Sequence, residues 1–178
     1  ICPSHGIVWK KYVPDILSEY HQWSNQQKNK KAVIIYDSMW ESTEQMATFL
    51  AYGLQDAGII AVKRGLKLNH ISDIMTDVLD SGLILLGSPT LNNGVLPTVG
   101  GFITYLQGLA PTNKTGYAFG SYGWGGQSVK ILEDLMTQLK WDIPIPGEKI
   151  EYVPGENDNH RLREVGFQLG EHFLNSFK

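Results

Sequence analysis

Three short segments of the sequence concentrate side chains that can contact a small molecule, and the first of them is rich in hydroxyls. Residues 37–43 read DSMWEST, with three hydroxyl groups and no lysine or arginine. If a helix begins here, its unpaired N–H groups and the positive end of its dipole can bind a phosphate without a cation. The segment lacks both G-x-x-x-x-G-K-[ST] and G-x-G-x-x-G, which disfavours nucleoside triphosphate hydrolysis and a standard dinucleotide site. The hydroxyls are also compatible with an ordinary helix N-cap.

The second segment is GSPTLNNGVLP, at residues 87–97, and it directly follows an apolar run. Its Asn-Asn-Gly sequence permits positive backbone angles, so its backbone can approach a ligand closely. Proline then stands where the next helix is predicted to begin, at Pro97. Taken separately, the segment is also compatible with a plain turn.

The third segment is GSYGWGG, at residues 120–126, where four glycines surround two aromatic residues, Tyr122 and Trp124. Large aromatic rings in a glycine-rich loop can serve as stacking walls for a planar ligand. The alternative is that one of these rings only covers the edge of the core. The segment therefore indicates a planar ligand only in combination with the other two.

The elements that must position these segments alternate between strand and helix. Apolar, β-branched runs predict strands at residues 31–36, 59–66, 82–87, 115–120 and, in broken form, 143–153. Apolar residues at helical spacing predict helices at residues 43–57, 72–80, 97–108, 126–141 and 157–177. Five alternations predict an α/β fold in which helices cover both faces of a doubly wound parallel sheet.

The three segments follow the first, third and fourth predicted strands. Ligands of open α/β sheets bind beyond the carboxyl ends of the strands, so the segments are expected to meet there. The first segment can bind a phosphate, the backbone of the second can approach a ligand closely, and the aromatic residues of the third can stack on a ring. Together these features suit a planar ring with one phosphate tail. Flavin mononucleotide (FMN) fits that description best, and the uncharged cradle would place no full positive charge beside a ring that must accept electrons.

Composition narrows the class of protein further. The net charge of −3 and the absence of an obviously basic face argue against a nucleic-acid partner. No apolar stretch approaches the roughly 18 residues that a membrane-spanning helix needs, so no membrane partner is expected. The single cysteine suits a reducing, cytoplasmic setting. Because the chain starts at Ile1, we expect it to be a piece of a longer protein.

The three segments also resemble a known family. YDSMWEST, GSPTLNNG and FGSYGWGG are similar to the flavin loops of flavodoxin-like domains, and in detail to those of the flavodiiron proteins, or A-type flavoproteins. The resemblance covers residues 31–178. It implies a flavodoxin-like FMN-binding domain with a five-stranded parallel sheet in the order 2-1-3-4-5.

The N-terminal stretch CPSHGIVWK resembles the end of the metallo-β-lactamase-like domain that precedes the flavodoxin-like domain in that family. Residues 1–30 are therefore interpreted as the tail of that upstream domain plus a linker. In the family, the histidine of Pro-Ser-His-Gly is one ligand of a non-haem diiron centre. That role would fall on His5, and only in the full-length protein, because the other ligands belong to the missing upstream domain.

The resemblance implies an electron relay. The family reduces dioxygen or nitric oxide at the diiron centre, and the flavin passes electrons to it from a donor such as rubredoxin or reduced deazaflavin. Family members form head-to-tail homodimers in which the flavin of one subunit faces the irons of the other. The full-length protein would be an oxidoreductase, and this chain would be its electron-transfer module, with no catalytic residue of its own.

The cofactor-binding residues are assigned segment by segment. The phosphate is assigned to Ser38, Met39, Trp40, Ser42 and Thr43. One side and the edge of the ring are assigned to Ser88, Pro89, Thr90, Leu91, Asn92, Asn93 and Gly94. The opposite part of the ring and the ribityl chain are assigned to Ser121, Tyr122, Gly123, Trp124, Gly125 and Gly126.

Two other functions stay open at this point. An FMN-dependent NAD(P)H:quinone reductase of the same fold would need a nicotinamide site beside the ring. A cofactor-free signalling domain with the same sheet would need a phosphorylatable aspartate after the first strand. Asp37 stands at that position, but no acidic pair precedes it.

Overall fold

A computed structural model of the protein describes residues 1–177, in which helices and strands alternate. The strands of this part of the chain are β1 (Lys31–Tyr36), β2 (Ile60–Gly65), β3 (Leu83–Gly87), β4 (Thr115–Tyr122) and β5 (Glu148–Glu151). Its helices are α1 (Val13–Ser24), α2 (Ser42–Asp56), α3 (Ile71–Asp80), α4 (Pro97–Leu109), α5 (Gln127–Gln138) and α6 (Glu156–Asn175). Lys178, the last residue of the predicted FMN-binding domain, lies outside the described residues.

The strands form one parallel sheet in the order β2-β1-β3-β4-β5. In the register of its centre, Ala32 of β1 pairs with Ala61 of β2 and with Leu83 of β3. β1 and β3 are almost continuous runs of buried apolar residues, which is typical of strands that are covered on both faces. The predicted flavodoxin-like sheet of order 2-1-3-4-5 is therefore confirmed.

Alternate residues of the sheet build two cores, one on each face. Ile34 of β1 belongs to the core that includes apolar residues of α2 and α6. Val33 and Ile35 belong to the other core, with apolar residues of α3, α4 and α5. Successive side chains of a strand point to opposite faces, so one buried strand contributes to both cores. The two helical layers thereby fix where the loops at the carboxyl ends of the strands begin and end.

The boundaries predicted for these strands and helices hold to within three residues except at β5. β4 continues to Tyr122, so the start of the third segment belongs to the strand. β5 has four residues, and most of the predicted broken strand at 143–153 is irregular chain. β5 is an edge strand that pairs with β4, so its residues receive less support from neighbours than those of β1. Among residues 1–177, no helix has the length and apolar character to cross a membrane.

The segment that follows α1 is attached to the sheet domain by hydrogen bonds. The side-chain amide of Asn113 donates to the carbonyl oxygen of Gln26 (3.2 Å), and that of Asn29 donates to the Asp80 carboxylate (2.8 Å). Within α1, Ile16 is buried whereas Leu17 is exposed. The division into a tail at 1–30 and a domain at 31–178 stays a prediction, and these bonds are among the contacts between its two parts.

Candidate functional site

The three segments singled out from the sequence meet at the carboxyl edge of the sheet, where they line one cavity of about 630 Å³. They meet because β1, β3 and β4 are adjacent parallel strands, whose carboxyl ends lie at the same edge. From the assigned residues, the cavity is lined by Met39, Trp40, Ser42, Pro89, Thr90, Leu91, Asn92, Asn93, Ser121, Tyr122, Gly123, Trp124 and Gly125.

Five assigned residues do not line the cavity. Thr43 and Ser88 are fully buried, and Ser38 has a buried hydroxyl. Gly94 closes the turn of the second segment, and Gly126 is the N-cap of α5. Thr43, Ser88, Gly94 and Gly126 are suited to shaping the loops from behind, whereas the hydroxyl of Ser38 has no partner within residues 1–177 and is considered separately below.

Sequence reasoning missed two residues of the cavity, Tyr152 and Val153, which follow β5. Tyr152 has a positive φ of 60°, and its N–H donates to the carbonyl oxygen of Tyr122 at 2.7 Å. That bond attaches the loop after the fifth strand to the third segment. A search of the fifth strand-to-helix loop for exposed aromatic residues would have found Tyr152.

The first segment forms a tight turn into the N-terminus of α2. Glu41 is the N-cap residue, with a left-handed φ of 64°, and the helix starts at Ser42. The first N–H groups of a helix have no partner within it, and the dipole places positive potential there. Ser42 lines the cavity at this point, so hydroxyl and N–H donors lie together at one end of the cavity.

The hydroxyl of Ser38 supports a ligand at this loop. Its Oγ is buried and has no hydrogen-bond partner within residues 1–177. A buried polar atom without a partner carries a free-energy cost of about 1–3 kcal/mol. A phosphate oxygen at the loop would supply the missing acceptor, so the residues present fit the phosphate end of FMN.

The second segment is a tight hairpin turn. Leu91 and Gly94 exchange backbone hydrogen bonds of 3.1 and 2.8 Å, while Asn92 and Asn93 between them both have positive φ. Two consecutive left-handed residues are the mark of a type I′ turn, which asparagine tolerates well. At its base, the Ser88 hydroxyl donates to the Pro89 carbonyl oxygen at 2.8 Å. The turn therefore presents a fixed backbone to the cavity.

Two tryptophans on the cavity rim are exposed far beyond what aromatic residues usually are. Trp124 of the third segment is 96% exposed, and Trp40 of the first is 83% exposed. Exposed apolar surface of this size, grouped around a cavity, marks a binding site more often than chance exposure. A planar ligand between the segments would remove part of both rings from water, so the rim fits an aromatic ring system such as isoalloxazine.

A set of buried hydroxyls joins the three segments beneath the cavity. Thr43 Oγ1 lies 2.9 Å from Ser121 Oγ, which links the first segment to β4. Thr90 donates to Ser128 Oγ at 3.0 Å, and Ser128 donates to the carbonyl oxygen of Ser88 at 2.9 Å. Ser128, in the first turn of α5, was not found from the sequence. These bonds hold the three loops in one arrangement, as a preorganised site requires.

A positive charge reaches the first segment from outside it. The ammonium group of Lys67, which follows β2, donates to the Ser38 carbonyl oxygen at 2.7 Å and lies 3.3 Å from the Asp37 carboxylate. The expectation of a cradle without its own cation is correct for residues 37–43. The fold nevertheless brings a lysine to the back of the loop, because β2 neighbours β1 in the sheet.

The first turn of α2 is also tied to β1 through Tyr36. Its hydroxyl donates to the Glu44 carboxylate at 2.9 Å. Burial raises the pKa of Tyr36, and the hydrogen bond to Glu44 raises it further. The phenol therefore stays protonated at neutral pH and keeps the helix start in place.

Among residues 1–177, no group of three or more His, Cys, Asp or Glu side chains has the arrangement of a metal site. His5 is exposed, and its Nδ1 lies 3.2 Å from the hydroxyl of Ser4. A role for His5 as an iron ligand therefore requires ligands from another domain.

Comparison with known proteins agrees with this architecture. The flavodoxin family model matches residues 34–165, which include all three segments. A nitric oxide reductase from Moorella thermoacetica is 43% identical over 170 residues, which are 95% of this chain and 43% of that protein. The chain thus spans less than half the length of such relatives.

Two solved structures extend the similarity to three dimensions. Rubredoxin oxygen:oxidoreductase from Desulfovibrio gigas has a TM-score of 0.94 at 37% identity, and the match covers 99% of this chain and 44% of that one. The flavodiiron protein from Giardia intestinalis has a TM-score of 0.89 at 29% identity, covering 97% and 43%. The chain belongs to the flavodoxin family and corresponds to the flavodoxin-like, C-terminal part of flavodiiron proteins.

Proposed function

We propose that this chain binds FMN and relays electrons from a redox partner to the diiron centre of a flavodiiron oxygen or nitric oxide reductase. The observation that carries the proposal is the cavity itself. It places the N-terminus of α2 and the two exposed tryptophans, Trp40 and Trp124, on one site. The loop that leads into it also holds the hydroxyl of Ser38, which has no hydrogen-bond partner in the part of the chain that the structure describes. Donors for one phosphate and apolar walls for one planar ring are what FMN requires.

In this proposal each segment has a distinct task. The N–H groups at the start of α2, with Ser38 and Ser42, bind the phosphate. The hairpin turn at residues 91–94 places backbone groups along the edge of the ring. Tyr122 and Trp124 cover the ring, and Thr43 keeps the first segment against β4 through Ser121. The remaining assigned residues shape these loops.

Bound FMN would supply the acceptance and donation of electrons, and the protein supplies binding, orientation and electrostatics. No acid–base dyad is needed for such a relay. Because Trp40 and Trp124 are exposed on the cavity rim, a ring held beside them would lie near the surface, where a donor and an acceptor could approach it.

The rest of the proposal concerns the full-length protein. Its diiron centre would lie in an upstream metallo-β-lactamase-like domain and would include His5. The relatives named rubredoxin-oxygen oxidoreductase and nitric oxide reductase support an oxidoreductase, and the name of the first supports rubredoxin as donor. Reduced deazaflavin is the other donor considered, and a head-to-tail homodimer would bring the flavin of one subunit to the irons of the other.

Binding of FMN to the purified chain is the first test. We expect a yellow protein with flavin absorption bands that releases one FMN per chain on denaturation. Reduced rubredoxin should bleach these bands under anaerobic conditions. A chain that stays colourless after incubation with FMN would contradict the proposal, and steady NADPH-driven quinone turnover would favour a quinone reductase instead.

A further inference from the structure

The loop that is proposed to bind phosphate has an unfavourable charge of its own. Residues 37–44 contain three carboxylates, Asp37, Glu41 and Glu44, and no cation. A phosphate monoester carries close to two negative charges at neutral pH. Carboxylates next to its site would weaken binding unless a cation compensates for them.

Asp37 is the carboxylate that cannot turn away. It is 4% exposed, and its Oδ1 accepts the Ser38 N–H at 2.6 Å. Its Oδ2 accepts the hydroxyl of Thr98, from the first turn of α4. These bonds fix the loop geometry and hold a buried negative charge at the start of the first segment. Burial makes this charge less screened than one in water.

Lys67 is placed to compensate for Asp37. It stands in the turn after β2, and its ammonium group contacts both the Asp37 carboxylate (3.3 Å) and the Ser38 carbonyl oxygen (2.7 Å). Its side chain is 57% exposed, so the ion pair is neither deeply buried nor free in solvent. Lys67 is not among the residues that line the cavity, which places it behind the loop.

We propose that Lys67 is a positioning and counter-ion residue for the phosphate, and that it acts by neutralising the buried Asp37 carboxylate. The inference rests on the proposed FMN function and deepens it. The cation that the sequence of the loop lacks is thus supplied by the turn after β2, the strand that neighbours β1. Lys67 affects binding of the phosphate and not of the ring, so the site binds a phosphorylated flavin more tightly than its dephosphorylated form.

The test compares FMN with riboflavin, which has the same ring and no phosphate. We expect Lys67→Met to lower FMN affinity by at least about tenfold, because the Asp37 charge is then unpaired. Riboflavin affinity should change by less than about twofold, since riboflavin carries no charge for Asp37 to repel. Quenching of flavin fluorescence on titration with the purified chain measures both. Lys30→Met is the matched control, because Lys30 is exposed and directly precedes β1, at the edge of the sheet opposite to the cavity.

A second variant separates charge from structure. Asp37→Asn in the Lys67→Met background removes the unpaired charge and should restore most of the FMN affinity. Lys67→Arg should retain it. Equal losses for FMN and riboflavin, or a double variant no better than Lys67→Met, would overturn the counter-ion role while leaving the FMN site intact. If the unmodified chain binds neither flavin, the proposed function itself is wrong.

Discussion

Ser42→Asp is expected to lower the affinity of the chain for FMN by at least about 100-fold while the fold is retained. Ser42 lines the cavity and is the first residue of α2. A carboxylate there would occupy the helix N–H groups that are proposed to bind the phosphate, and it would repel the phosphate charge. A helix N-terminus favours a carboxylate, but Ser42 is only 7% exposed and lies between Glu41 and Glu44, so the free energy of unfolding should fall by about 1–2 kcal/mol with the fold retained.

Three measurements make this prediction specific. Titration with FMN and with riboflavin should show a large loss for the first and a small one for the second. Ser42→Ala, which removes one hydroxyl without adding charge, should weaken FMN binding by only about 1 kcal/mol. Urea unfolding should show that all three proteins are folded, with Ser42→Asp less stable than the others by about 1–2 kcal/mol. Unchanged FMN affinity in Ser42→Asp would contradict the proposal that the phosphate binds at the N-terminus of α2.

The free energy of unfolding is expected to rise between about pH 8 and pH 9.5, because of Lys114. Its ammonium group is almost completely buried and donates to the carbonyl oxygens of Ser81 (2.7 Å) and Leu79 (3.1 Å). Burial lowers its pKa to about 8, against the partial compensation of Asp80. Unfolding returns the side chain to water and to a pKa near 10.4.

The sign follows from proton binding. Above about pH 8 the folded chain has lost the Lys114 proton, whereas the unfolded chain keeps it up to about pH 10. The unfolded state therefore binds more protons in this window, and stability increases with pH by up to about 1.4 kcal/mol per unit. Between the folded and the unfolded pKa of Lys114, the total gain in the free energy of unfolding approaches about 3 kcal/mol. Buried tyrosines with raised pKa values, Tyr36 and Tyr117, act in the opposite direction once unfolded tyrosines ionise near pH 10.

Urea unfolding at several pH values measures this slope. Lys114→Met should abolish it, and Lys63→Met, which alters an exposed lysine, should preserve it. Lys114→Met also leaves the carbonyl oxygens of Leu79 and Ser81 without this donor, which changes the free energy of unfolding at every pH. The dependence of that free energy on pH is therefore the quantity to compare. A flat profile for the unmodified chain would mean that the buried amine keeps its proton.

Much of the site was predictable from the sequence because its residues are contiguous within each loop. The hydroxyls of residues 37–43, the asparagines of the hairpin turn and the aromatic residues at 122 and 124 each follow an apolar strand directly. The alternation of elements then determines that these strands are parallel. Thirteen assigned residues line the cavity for that reason.

The residues that were missed belong to elements whose position depends on the packed sheet. Lys67 reaches the first segment because β2 pairs with β1, and Ser128 reaches Thr90 because α5 begins beside the second segment. Tyr152 lies beside Tyr122 through the short edge strand β5. None of these contacts joins residues of a single loop, so no local pattern reveals them.

The sequence by itself determined the order of strands and helices, the two-sided burial of the sheet and the three ligand loops. These properties follow from local periodicity and from residue chemistry. Only the tertiary structure decided which hydroxyls form hydrogen bonds with one another, such as those of Thr43 and Ser121. It also decided which cation pairs with the Asp37 carboxylate, namely Lys67. Such contacts depend on distances between chain segments that are remote in sequence, and packing of the two cores sets those distances.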